Sequence, residues 1–201
     1  MTNYNLHIRT DILEYSGDTI HSRFSYRYLR NKVMPHGNII AFRAPMKVEA
    51  EGMIDLEDIL SNDYIYSADA ISFCWEIPHL ESFGAVAFQR LLNTQIANIL
   101  YQIIKKPVEV SGDDIFIHDT FEGSDGLEHK KGKCSVSITY VKDGAALGHT
   151  GINIDAGTQA PGFAYSTKLT DEQATKFMKD VIDAFYSLID DISVATQKVI
   201  C

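Results

Sequence analysis

Residues 71–104, ISFCWEIPHLESFGAVAFQRLLNTQIANILYQII, change period partway along, and that change limits what the chain can become. From Ile71 to Ile77 the pattern alternates. Ile71, Phe73, Trp75 and Ile77 fall on one side, and Ser72, Cys74 and Glu76 on the other. This predicts a strand with one apolar face. From about Ser82 the period becomes helical, with Val86, Ala87, Leu91, Ile96, Ile99, Leu100 and Ile103 three or four apart. Lys105 and Lys106 close the last turn and Pro107 ends it. A strand feeding a long apolar helix predicts the centre of one core.

The chain has 201 residues, 45% of them hydrophobic, enough for one sizeable core. Its net charge of −9 argues against a nucleic-acid or anionic-membrane surface, which needs clustered Lys and Arg. No apolar run approaches the roughly 20 residues that cross a bilayer. The opening MTNYNLHIRTDILEY is polar, unlike a secretion signal. Cys74, Cys134 and Cys201 are odd in number and scattered, which suggests reduced thiols in a cytoplasmic protein.

The rest of the chain reads as strands with a second helix. Leu6 to Tyr15 is expected to be a first strand, and Asp18 to cap a short helix carrying Ile20, Phe24 and Tyr28 on one face. Asn38 to Arg43 is a second strand, running into Ala44-Pro45 and Met46 to Val48. The segment Gly52 to Asp58 sets Asp55, Glu57 and Asp58 among apolar anchors that would hold some of them inward. After the central helix, Val108 to Val110 and Ile115 to His118 flank a turn at 111–114. Phe121 to Lys133, polar and Gly-rich, reads as a mobile hairpin loop. Cys134 to Val141 and Ala145 to Ile154 are strands, the latter containing Gly148 and Gly151, which permit close backbone approach. Thr170 and Gln173 form a capping-box pattern for a last helix. Its stripe is Phe177, Met178, Val181, Ile182, Phe185, Leu188, Ile189 and Ile192. The expectation is one α+β domain over residues 1–201, a mostly antiparallel sheet packed by two long helices.

Several familiar motifs fail. Gly126 to Lys133 has its glycines one residue too far apart for a phosphate loop, and a strand follows it. A dinucleotide fingerprint, paired CxxC and HExxH are all missing. His79, His118 and His149 lack metal-ligand spacing, and isolated histidines more often satisfy local hydrogen bonds, so no metal or cofactor is expected. Glu76, three residues before His79, is a candidate acid/base pair, with a salt bridge to Arg90 as the plainer alternative. Asp113 and Asp114 start a strand, so at most one should face a pocket. Ser135 and Ser137, with His149 and Asn153, are candidates for a polar floor under a ligand.

The run from Trp75 through Ile104, with VEVSGDDIFI, KGKCSVSITY and GHTGINI after it, resembles the catalytic core of biotin and lipoate protein ligases. Across nearly the whole chain, YSGDTIHSRFSY, IIAFRAPMKV, MIDLEDI, FQRLL, SGDDIFI, KCSVSI, HTGINI and ATQKV resemble a second family, domain of unknown function three-six-six. The resemblance implies a biotin/lipoate ligase-like fold with a pocket over the sheet for a small carboxylate-bearing heterocycle. The ligases' adenylation lysine falls here on Val110, and their arginine–glycine loop on the acidic DLEDILSND. Losing both cations removes electrostatic support for phosphoryl-type chemistry.

The second family is associated with 7-deazapurine metabolism, which implies a carboxylated deazaguanine of the queuosine-pathway type as small-molecule substrate. The expected reaction is ATP-independent decarboxylation. Asp113 or Asp114, Glu76, and His79 or His149 are the candidate proton donors, with Arg43 and Arg90 anchoring the ligand or fixing the acids. The alternatives are an ATP-dependent acyl or nucleotidyl ligase using Lys133 or Lys106, and a non-catalytic small-molecule-binding module. Edge strands and the C-terminal stripe are compatible with a homodimer, but burial against the chain's own sheet explains the stripe equally well, so the oligomeric state stays open.

Overall fold

The computed structural model describes residues 2–61 and 64–198. Asn62 and Asp63 of the acidic segment, Val199 of the last motif and Cys201 lie outside the described residues.

The chain opens with a short helix α1 (Tyr4–His7) and a two-residue strand β1 (Ile8–Arg9). Helix α2 (Phe24–Leu29), strand β2 (Asn38–Val48), helix α3 (Leu56–Ser61) and strand β3 (Ile65–Pro78) follow. Next come helix α4 (Ser82–Ile104) and strands β4 (Val108–Ser111), β5 (Asp114–Glu122) and β6 (Glu128–Lys133). Strands β7 (Ser135–Lys142) and β8 (Ala145–Asp155) and helix α5 (Asp171–Gln197) complete the fold. One sheet has the order β1-β2-β3-β8-β7, and only its β1–β2 pair is parallel. A smaller antiparallel sheet has the order β4-β5-β6.

Strand β3 is central, and both its faces are covered. Ile71, Phe73, Trp75 and Ile77 pack under α4 and α5 with Phe88, Leu92, Phe177 and Phe185. The other face, the polar one by sequence, lies beneath the N-terminal segment. There Ala70 and Cys74 join Tyr15, Ile20, Phe24 and Leu29 in a second core. Burial pushes the Cys74 thiol far above its ordinary range, so it is an inert core residue.

The structure corrects four readings of the sequence. The expected first strand over Leu6 to Tyr15 is mostly α1 and irregular chain, with Tyr15 touching the sheet in one bridge to Met46. Asp18 is no cap; the Ser16 side chain and Thr19 form a reciprocal capping box around a single 3-10 turn. The polar run after Phe121 is a hairpin, as expected, but its loop is short, for β5 continues to Glu122 and β6 returns from Glu128. Finally, α4 buries Ala85, Phe88, Gln89, Leu92, Asn93, Ile96, Ala97 and Leu100, while Val86 and Leu91 are exposed. The helix carries one charge, Arg90, so its apolar residues run nearly all round and do not select a face. Helix α5 is amphipathic, and its predicted stripe is buried except for half-buried Leu188 and exposed Ile192. α5 spends most of that stripe on its own chain.

Candidate functional site

A cleft of about 330 Å³ opens beside β7, the edge strand of the larger sheet. One wall is the acidic segment, with Met53, Asp55, Glu57 and Asp58, followed by Tyr64, Ile65 and Tyr66. Opposite stand Asp113 and Asp114 from the β4–β5 turn and Lys133 from the end of β6. Ser135, Val136 and Ser137 of β7 and Asn153 of β8 form the floor, and Phe163 stands at the rim. The lining therefore holds five carboxylates and one lysine. That imbalance gives the cleft a negative potential.

Each polar group is set by its neighbours. Lys133 pairs with Asp114 at 2.7 Å, so the single cation is already partly neutralised. Asp113 has the Arg90 guanidinium 3.6 Å away, and Gln89 Oε1 accepts from the same arginine at 2.6 Å. Ser137 Oγ accepts from Gln89 at 2.8 Å and Asn93 at 3.1 Å, and lies 3.1 Å from Thr150 Oγ1. Asn93 also donates to the Asp113 carbonyl at 2.8 Å, so α4 holds the acidic turn against the floor. Ser135 Oγ accepts the Ile115 N–H at 2.7 Å. Asn153 Oδ1 is buried with no partner among the described residues. Such an orphan costs stability unless something meets it.

The cleft continues into a narrow arm of about 40 Å³ beneath the N-terminal segment, sharing Met53, Asp55, Asp58, Ile65, Val136 and Ser137 with the mouth. His149 and Tyr15 line its inner end, their rings stacked with centroids 3.6 Å apart. Gly17 and Gly52 close the wall, because a Cβ on Gly17 would come 2.6 Å from the Gly52 carbonyl oxygen. His149 is fully buried, and desolvation lowers its pKa to about 3, so the ring is neutral at ordinary pH.

Of the residues singled out by sequence, Ser135, Ser137 and Asn153 line the mouth and His149 lines the arm. Asp113 and Asp114 both line the mouth, where at most one was expected, because the strand begins only at Asp114 and alternation does not govern the pair. Arg90 stands behind Asp113 rather than bridging to Glu76. Glu76 is occupied elsewhere: its carboxylate accepts the N–H groups of Arg23 at 2.8 Å and Ser25 at 3.1 Å, at the start of α2. His79 is exposed in the turn after β3, its N–H bonded to the Gly144 carbonyl, and lines neither compartment. Arg43 pairs with Asp69 and Asp171, both at 2.6 Å, away from the cleft. Lys106 is engaged with Asp119 and Tyr165 beside the smaller sheet. Glu76, His79 and Arg43 are therefore not brought together with the acids. His118 pairs with Glu109 on the smaller sheet, and among the described residues no three His, Cys, Asp or Glu side chains gather as metal ligands. No helix is long and apolar enough to cross a membrane among the described residues.

Sequence reasoning left Tyr15, Tyr64, Tyr66 and Phe163 out of the site. The acids of the IDLEDIL segment were the usable signal for the far wall, but the expected apolar anchors between them are not there: Ile54, Leu56, Ile59 and Leu60 are all exposed.

A family model described as "Domain of unknown function (DUF366)" matches residues 4–200. No curated protein matches the chain. Among solved structures, a protein of unknown function from Pyrococcus horikoshi is similar over 96% of both chains, at 23% identity and a TM-score of 0.80. P. falciparum LipL1 in complex with lipoate is similar over 82% of this chain and 53% of its own, at 15% identity and a TM-score of 0.50. A biotin protein ligase from Aquifex aeolicus in complex with biotin covers 74% of this chain and 62% of its own, at 11% identity and a TM-score of 0.48. At these identities the likeness is one of fold, an α+β architecture shared with the Pyrococcus protein and with LipL1.

Proposed function

The chain belongs to the DUF366 family, and on that premise we propose that it is an enzyme acting without ATP on a small heterocycle bound in the acidic cleft. The favoured reaction is decarboxylation of a 7-deazaguanine carboxylate. The observation that carries this reading is the lining of the cleft, with five carboxylates against one lysine that is itself paired. A triphosphate has no cationic clamp there. Val110, at the position of the ligase lysine, is a half-buried core residue. A guanine-type edge suits the same lining, because its adjacent N–H groups can donate to a carboxylate in parallel.

The step balances simply. The bond from ring carbon to carboxylate breaks, its electron pair stays on the ring carbon, and carbon dioxide leaves. A carboxylic acid then protonates that carbon and is reprotonated from water. Asp113 and Asp114 are the donors this reading assigns, because both line the mouth; the one that carries the proton must first leave its cation, Arg90 for Asp113 or Lys133 for Asp114. Repulsion between the substrate carboxylate and the acidic wall would be relieved as carbon dioxide departs. Lys133 is the one lining residue that could orient the leaving carboxylate.

The test is direct. Purified protein is incubated with 7-carboxy-7-deazaguanine without ATP, and the mixture is followed by mass spectrometry. Loss of carbon dioxide from the ligand, slowed at least tenfold in the Asp113→Asn and Asp114→Asn double variant, is expected. Turnover that appears only with ATP, or with pyrophosphate release on a panel of carboxylic acids, would instead favour a ligase that uses Lys133. Binding without turnover would favour a non-catalytic module.

A further inference from the structure

The inner arm has room for about three water molecules, and so for one small substituent of a ligand. Its walls are mainly apolar, with Ile20, Val48, Met53, Val136 and Ile138, and Asp55, Asp58 and Ser137 also line it. A buried imidazole at the end of such an arm needs a reason. His149 is held on one face by the Tyr15 stack, and Gly151 leaves it space, since a Cβ there would come 3.0 Å from His149 Cε1. Its Nε2 lies 3.1 Å from Ser72 Oγ. Its Nδ1 is buried without a partner among the described residues.

The surroundings decide which nitrogen carries the proton. Ser72 is fully buried, and its hydroxyl has no other partner among the described residues. Its hydrogen is satisfied only by donation to Nε2, which must then be the unprotonated nitrogen. A neutral imidazole has one N–H, so that proton sits on Nδ1. The opposite tautomer would leave both the Ser72 hydrogen and the Nδ1 lone pair unpaired among the described residues, which is the costlier arrangement.

We propose that His149, through Nδ1–H, is the specificity-determining donor of the inner arm and takes a hydrogen-bond acceptor carried on the inner end of the ligand. This deepens the proposed function and rests on it for the cleft being the binding site. The ligand class narrows to heterocycles that turn N–H donors toward the carboxylates of the mouth and an acceptor toward the blind end. A lactam edge, with C=O beside N–H, meets both demands. Asn153, orphaned at Oδ1 on the floor between them, would take a further ligand donor.

Nitrogen-15 labelled protein tests this, with long-range proton–nitrogen correlation spectra resolving both His149 ring nitrogens. A protonated Nδ1 and an unprotonated Nε2 are expected in the free protein. Addition of 7-deazaguanine should then shift Nδ1 saturably. The analogue 2-amino-7-deazapurine, which lacks the carbonyl oxygen, should bind at least tenfold more weakly. His149→Phe, which keeps the stack and loses the donor, should erase that difference. An Nε2–H tautomer overturns the inference even if 7-deazaguanine binds. If 7-deazaguanine does not bind, the purine reading of the cleft fails, and formamide becomes the deciding probe. A saturable Nδ1 shift with this small carbonyl compound sustains the role of His149, and no shift overturns it.

Discussion

Glu76 accepts two backbone N–H groups at 2.8 and 3.1 Å and is only 7% exposed, so its carboxylate serves the fold. Arg23, whose N–H it holds, sits in the left-handed region at φ 66°, a conformation that a non-glycine residue keeps only with such support. Glu76→Ala would strand both donors in the interior and should cost about 1–3 kcal/mol in urea unfolding. Ligand binding in the folded variant should be unchanged, and a loss of binding at full stability would return Glu76 to the site. His149 makes a prediction about pH. Its folded pKa of about 3 lies below the ordinary 6.5, so its contribution is complete above pH 6.5 and is lost as pH falls toward 3. Between pH 7 and 5 this group alone should remove about 2 kcal/mol. His149→Phe should flatten that part of the stability profile, and an unchanged slope in the variant would contradict a buried neutral ring.

At the scale of elements, the β3–β8 pair shows what alternation can and cannot say. Trp75 pairs directly with Gly148, and a Cβ at Gly148 would fall 2.1 Å from the indole ring. The glycine is there for the tryptophan, which is why GHTGINI reads as close approach in the sequence. Gly148→Ala should destabilise by about 1–3 kcal/mol through overpacking, measured by thermal or denaturant melts, and a neutral result would refute the packing. The start and the buried face of helix α5 were legible because Thr170 caps it reciprocally with Gln173 and one stripe is apolar. Thr170→Ala should cost about 1 kcal/mol on the same melts. The facing of α4 was not legible, because Gln89 and Asn93 turn inward to hold Ser137 and Val86 turns outward. Polar side chains with buried partners defeat a rule that reads polarity as exposure. The hidden second face of β3 failed in the same way, since Ser72 and Glu76 are polar and buried.

The cleft is a property of the whole molecule. Its wall, turn, floor and rim come from residues near 55, 113, 135, 153 and 163, which only the two-sheet topology assembles. Sequence reading found Asp113, Asp114, Ser135, Ser137, Asn153 and His149 as separate candidates, and the fold joins them. It separates Glu76, His79 and Arg43 from them, for those lie on other elements and their partners are set by register. On a chain of net charge −9 the cleft concentrates negative potential, so its ligand should be chosen by donated hydrogen bonds rather than by phosphate. Isothermal titration of 7-carboxy-7-deazaguanine and of magnesium-ATP into the same protein tests this most directly. The account predicts one saturable site for the heterocycle, weakened at least tenfold in the Asp113→Asn and Asp114→Asn double variant, and no heat of binding from ATP. Saturable ATP binding that is lost in Lys133→Ala, with the heterocycle silent, would contradict it.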